Sequence, residues 1–169
     1  TTGSSSCSDD DDDERNAETE LRKQQEMKDL TATYVNDVVY VTYGRLADAT
    51  ESLYGKIETM KSSLSAGSLT QSQIDDVCNT FLEARAWWEK SEAWLYGPAE
   101  VHGIDPHIDT WPLSRDGLAT FLKNNRNTIF APGYDINEAI EQVSRNNNED
   151  SWLGFHGLEF ILFRDGSPR

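Results

Sequence analysis

The stretch Trp152–Phe163, WLGFHGLEFILF, decides the fold. It is long enough for about three helical turns, and His156 and Glu159 are its only ionisable residues. A helix that is apolar nearly all round belongs in the interior, with other elements packed on every side. Helical periodicity puts His156, Glu159, Phe160 and Phe163 on one face. Burying an imidazole and a carboxylate there costs on the order of several kcal/mol unless they are paired or bound to a metal. Gly154 and Gly157 each cost about 1 kcal/mol relative to Ala in a helix. Two such residues in one short helix predict the close approach of a backbone or a ligand.

The rest of the chain supplies the helices that such a centre needs. From about Glu20 to Leu64 apolar residues recur at helical steps: Met27, Leu30, Tyr34, Val38 and Val41, then Leu46, Leu53, Ile57, Met60 and Leu64. This predicts one long helix or two in line, with a bend at Gly44 where the stripe shifts. The β-branched cluster Val35, Val38, Val39 and Val41 would suit a strand, but its flanks lack turn signals. Residues 65–68 read as a loop. Thr70 and Gln73 form a capping-box pattern ahead of a second helix, whose stripe is Ile74, Val77, Cys78, Phe81, Arg85, Trp88, Glu92 and Leu95, and Gly97-Pro98 ends it. The chain is then irregular from Ala99 to Thr110. Pro112 suits the first position of a third helix through Leu113, Leu118, Phe121 and Leu122. A loop from Asn124 to Pro132, a short helix from about Ile136 to Val143, the polar loop Arg145–Asp150 and a capping Ser151 lead into the last helix. No Asn-Gly or Asp-Gly hairpin signal sits between alternating runs. The fold class is therefore all-α, most simply an up-and-down helical bundle.

Arg85 and Glu92 sit on an otherwise apolar stripe, spaced around Trp88, and charges are unusual there. Either the stripe turns toward solvent and the charges snorkel, or they line a polar pocket with Trp88 as its wall.

Charge separates the chain into two parts. The net charge is −15 over 169 residues, and residues 1–20 hold eight acids (Asp9 to Asp13, Glu14, Glu18, Glu20) against Arg15. Residues 1–20 are expected to be a disordered acidic tether, and 21–169 the helical bundle. Lys and Arg are not clustered, so no nucleic-acid partner is expected. Cys7 and Cys78 do not make a disulfide framework, and Cys78 reads as a small core residue. No window is long and apolar enough for a membrane-spanning helix. The run of small residues before Cys7, followed by acids, resembles the processed end of surface-exported lipoproteins of the Bacteroides type. Ser4 stands where the strict motif has Leu. That resemblance implies acyl chains on Cys7, each buried methylene contributing roughly 0.8 kcal/mol to membrane anchoring.

Gly154-Phe155-His156-Gly157-Leu158-Glu159 matches the Gly-x-His-x-x-Glu signature of imelysin-like proteins, also classed as peptidase family M75. A second recurrent stretch of that family is similar to Arg85, Trp88, Ser91, Glu92, Gly97 and Pro98, continuing to Ile108, Asp109, Trp111, Pro112 and Leu113. The resemblance covers roughly residues 30–165. It implies two packed four-helix bundles with the signature helix at the pocket between them, of which this chain resembles the first half, the C-terminal half being absent. It further implies a bacterial envelope protein, at the outer membrane or cell surface with the periplasm as the alternative, connected with iron uptake and its transport components.

Three functions follow. The first is binding of iron, another divalent metal or a metal complex, with His156 and Glu159 as two ligands and Glu92 or Asp109 as a further one. One imidazole with several carboxylates suits iron better than a thiolate-seeking metal. Arg85, Glu92, Asp109, His156 and Glu159 would then form one polar cluster shielded by Trp88 and Trp111. The second is metallopeptidase activity, which ranks below binding. A catalytic zinc site needs three protein ligands and a separate base, and a single His with a Glu three residues on does not supply them. The third is a surface polysaccharide- or protein-binding module with Trp87, Trp88, Trp94, Trp111 and Trp152 as stacking walls. His102 and His107 are expected to be exposed and incidental.

Overall fold

The computed structural model describes residues 9–129, 131–135, 138 and 152–169. Cys7, the expected short helix at 136–143, the polar loop 145–150 and the expected cap at Ser151 lie outside the described residues. The chain divides into two compact units, residues 1–44 and residues 45–169.

The first unit is helical. α1 runs Asp9–Tyr34, a π-helical turn occupies Val35–Val39, and α2 begins at Tyr40 and continues to Ser65. The helix thus begins at Asp9, inside the segment expected to be disordered. Acids at a helix N-terminus complement the macrodipole, and local pairs support the following turns. Lys23 Nζ lies 2.8 Å from Glu20, and Gln25 donates to Asp29 at 2.9 Å. The helical hydrogen-bond pattern changes at the β-branched cluster and not at Gly44. Branched side chains crowd the preceding turn, and a wider π turn relieves that crowding. Met27, Leu30, Tyr34, Val38 and Val41 are all exposed.

In the second unit, α2 packs Leu46, Ala49 and Leu53 inward. α3, Gln71–Ser91, opens with the capping box: Thr70 Oγ1 accepts from Gln73 N, and Gln73 Oε1 accepts from Thr70 N. Its buried stripe is Val77, Cys78, Phe81, Ala84 and Trp88. Lys56 ties α2 to α3 by donating to Asp76 (2.8 Å) and Thr80 (2.7 Å). Beyond α3 the chain passes through a 3-10 turn, Glu92–Trp94, and a π turn, Leu95–Ala99, broken by non-helical Tyr96 and Gly97. The segment expected to be irregular contains one short helix, α4, Asp105–Ile108.

α5 spans Arg115–Asn125. It starts after Pro112, because Ser114 supplies the cap: its hydroxyl accepts from Gly117 N at 3.3 Å. The final helix, α6, is Phe155–Leu162, so Trp152 and Leu153 precede it and Phe163 follows in extended conformation. Phe163–Arg164 (β1) pairs antiparallel with Ser167–Pro168 (β2). The turn between them is Asp165-Gly166, with φ of 52° and 77°. This dipeptide is an Asp-Gly hairpin signal that the sequence reading missed, because the two strands are too short to alternate.

α6 sits between two aromatic clusters. Phe155 meets the Phe81 ring edge-on at 5.8 Å, and Phe163 meets Phe81 at 5.5 Å. Phe160 packs into the second cluster, around Leu118 and Trp152 with Leu113, Phe121 and Leu122. Cys78 is fully buried, and its thiol donates to Leu162 O at 3.7 Å. Burial first, and then Asp75, push that thiol's pKa up. The class is all-α, but α6 buries only Phe155, Gly157 and Leu162, while Ile161 is 47% exposed, so the helix is packed on one side and not all round as its composition suggested.

Gly157 faces the Trp152 carbonyl, and a Cβ there would fall 2.0 Å from its oxygen. Gly55 in α2 has nothing within 4 Å. We expect Gly157→Ala to destabilise by about 3 kcal/mol and Gly55→Ala to be neutral or stabilising by up to about 1 kcal/mol. Urea unfolding of the two variants checks this, and equal effects would contradict the close approach.

Candidate functional site

Three separate stretches converge on one carboxylate. α3 brings Arg85 and Trp88, Asp109 follows the last residue of α4, and α6 brings His156 and Glu159. Gly154 makes the meeting of the last two possible. Its φ is +84°, a region that favours glycine, and a Cβ on it would lie 2.1 Å from the Ile108 carbonyl oxygen. With no side chain there, the start of α6 lies against the end of α4, one residue before Asp109.

The Asp109 side chain is 8% exposed, accepts two hydrogen bonds and lies beside the His156 imidazole. Oδ1 accepts from Arg85 Nη1 and lies 3.1 Å from His156 Nε2, and Oδ2 accepts from Trp88 Nε1 at 2.8 Å. A carboxylate this close favours the ring tautomer with its proton on Nε2 and its lone pair on Nδ1. Arg85 also donates from Nε to Glu89 at 2.8 Å and lies over the Phe155 ring. Burial works against the Arg85 charge, but hydrogen bonds and attraction to Asp109, and then to Glu89, outweigh it and raise its pKa above the ordinary value.

His156 is 17% exposed, and its Nδ1 is 3.7 Å from Oε2 of Glu159, which is 57% exposed. That separation is too long for a hydrogen bond and leaves both atoms able to serve another group. Trp111 covers the imidazole, with ring centroids 4.8 Å apart and 54° between planes. Trp111 is itself 72% exposed.

Of the residues singled out from the sequence, Arg85, Trp88, Asp109, Trp111, His156 and Glu159 come together. Glu92 does not. It is exposed in the 3-10 turn, with no hydrogen bond or ion pair among the described residues. Slight burial, Glu89 and Asp109 push its pKa up, while Arg85 pulls it down. Gly154 and Gly157 each face a backbone carbonyl. His102 and His107 are exposed, and His107 Nδ1 contacts Gly103 O at 2.6 Å. Sequence reasoning missed Glu89, although its i,i+4 spacing from Arg85 was a usable signal, and it missed Phe155 as the surface beneath the guanidinium. Among the described residues no group of three His, Cys, Asp or Glu side chains is arranged to hold a metal ion. His156 and Glu159 lie 3.7 Å apart beside the Asp109 carboxylate that Arg85 and Trp88 hold.

Removing one partner of a buried charged pair is costly, but Arg85 retains Glu89. Asp109→Ala is therefore expected to destabilise by about 2–3 kcal/mol and to release the His156 Nε2 proton to solvent. Chemical denaturation with imidazole NMR tests both, and unchanged imidazole resonances would contradict the contact between Asp109 and His156.

The sequence pattern that defines the family described as Imelysin, peptidase M75, matches residues 39–169. The iron-regulated protein A of Synechococcus elongatus is 29% identical over 135 residues, covering 80% of this chain and 31% of that protein. A crystal structure described as an imelysin peptidase from Bacteroides ovatus is 31% identical, with a TM-score of 0.61 over 80% of this chain and 36% of that one. Another, described as a putative iron-regulated protein A precursor from Parabacteroides distasonis, is 26% identical with a TM-score of 0.62, covering 82% and 34%. The chain thus spans about a third of the length of these relatives. With the family pattern over residues 39–169, most of its length, this chain belongs to the imelysin family.

Proposed function

We propose that this chain carries a metal-binding site of an exported envelope protein, and that its cargo is iron or another divalent metal, free or chelated, taken up by the cell. The observation that carries this reading is the polarity of the His156 ring. Nε2 is engaged by Asp109, and Nδ1 faces Glu159 across 3.7 Å beside solvent. A carboxylate behind a metal-ligating histidine fixes the tautomer and makes the outward nitrogen a better donor. Asp109 has that position, and Arg85 and Trp88 hold it there. His156 Nδ1 and a Glu159 oxygen then form a nitrogen–oxygen pair suited to iron, and water or the cargo's own oxygens complete the shell. Two relatives are described as iron-regulated, which supports iron as the cargo.

Proteolysis ranks lower, although one relative is described as a peptidase. The site offers a single histidine, and Asp109 is held by Arg85 and Trp88, which makes it a poor general base. A glycan platform ranks lower too, because Trp88 and Trp152 are core residues.

No helix among the described residues is long and apolar enough to cross a membrane. We further propose that a lipid on Cys7 holds the protein at the envelope, the acidic segment after it serving as spacer, in reach of transport components. One relative is described as a precursor, which supports export.

Isothermal titration with ferrous and zinc ions, with elemental analysis of the protein purified from its native envelope, tests the site. His156→Ala and Glu159→Gln should each weaken binding at least tenfold with the fold intact. Equal affinity in wild type and both variants would sink the metal reading. For the anchor, Cys7→Ser should move the protein from the membrane to the soluble fraction, and an unchanged distribution would remove the lipid.

A further inference from the structure

The site has two features that a bare metal ion does not use. One is Trp111. Its indole leans on His156 at 4.8 Å yet is 72% exposed, so a broad apolar face stands open beside the two donors. The other is the number and placement of those donors. His156 Nδ1 and Glu159 Oε2 are 3.7 Å apart on one helix face. Bound to one ion they take adjacent positions, and an octahedral ferric ion then needs four more donors from its own chelators. A flat four-donor ring leaves open only its two opposite axial positions and cannot accept an adjacent pair. Two separate bidentate chelators can.

Charge selects among such chelators. Asp109, Glu159 and Glu89 stand around the site against the single guanidinium of Arg85. A negative surround repels anionic complexes and favours neutral or cationic ones. Two monoanionic bidentate ligands on ferric iron give a singly positive complex. Two dianionic ones, such as catecholates, give a singly negative complex.

We propose that the cargo is a ferric bis-chelate of two monoanionic, ring-bearing bidentate oxygen ligands, one ring stacking on Trp111 while His156 Nδ1 and Glu159 close the coordination. Two waters leave the iron as the protein's nitrogen and oxygen bind, and no electron is transferred. The inference rests on the metal-site reading above and adds the class of cargo. Aromatic stacking contributes beyond simple area burial, and Trp111 is the exposed ring placed to supply it.

The test titrates the chain with three one-to-two ferric complexes, each at a pH where that species prevails. A hydroxypyridinone complex has the ring and the positive charge. An acetohydroxamate complex has the charge without the ring. A catechol complex has the ring with negative charge. Ferrous ion alone is the fourth arm. The readouts are the visible ligand-to-iron band and indole fluorescence. We expect the hydroxypyridinone complex to bind about tenfold more tightly than the other two. Trp111→Ala should bring it to the acetohydroxamate level, and His156→Ala should abolish the band shift. Trp111 is at the surface, so its removal leaves the core untouched. Equal binding of the ring-bearing and ringless complexes, or an unaltered Trp111→Ala variant, overturns the chelate. If ferrous ion then still binds through His156, the metal site stands without it. No His156-dependent binding of any probe overturns both.

Discussion

The site depends on one buried carboxylate. Asp109 is the residue on which α3, the end of α4 and α6 converge, and its oxygens are shared among a guanidinium, an indole and an imidazole. A carboxylate in a protein interior is tolerated only with partners of this kind. The need is mutual. Arg85 on a core-facing stripe requires an anion, Trp88 requires an acceptor for its buried N–H, and His156 requires something to fix its tautomer. Without Asp109, two chemically awkward residues on α3 and one on α6 would have no common solution.

The glycine pattern follows from that convergence. Gly154 lets a carbonyl of α4 come close to α6, and Gly157 lets the Trp152 carbonyl fold back over the first turn of the helix. Both are places where side-chain volume is given up so that backbone can approach. The aromatic clusters on either side of α6 supply the apolar burial that offsets the weak helix propensity of its glycines. Stability and site geometry are thus set by the same few contacts.

Much of this was legible in the sequence, because it depends on residue type and period. Thr70 and Gln73 announced a cap, the apolar run of α6 announced the burial of Phe155 and Leu162 but not the exposure of Ile161, and Arg85 on a stripe beside Trp88 left open whether its charge meets solvent or a partner. What could not be read depends on three-dimensional closure. Asp109 looked like one more candidate ligand among acids, and its role as common acceptor appears only when α4 is placed against α6. Glu92 shares the spacing of Arg85 but falls where α3 gives way to a 3-10 turn, which rotates it to solvent. Pro112 is a good first helical residue by chemistry, yet Ser114, two positions later, has a hydroxyl that satisfies a backbone donor and so sets the start.

Cys78 has a consequence for how the fold can be watched. Its sulfur is buried at the seam where α3 meets the end of α6, and burial holds the thiol in its protonated, unreactive form. Oxidants and alkylating reagents therefore reach it only when that seam parts. Its rate of modification is a clock for local opening. Because α6 also carries His156 and Glu159, the same clock records how long that pair stays in place, with no engineered probe.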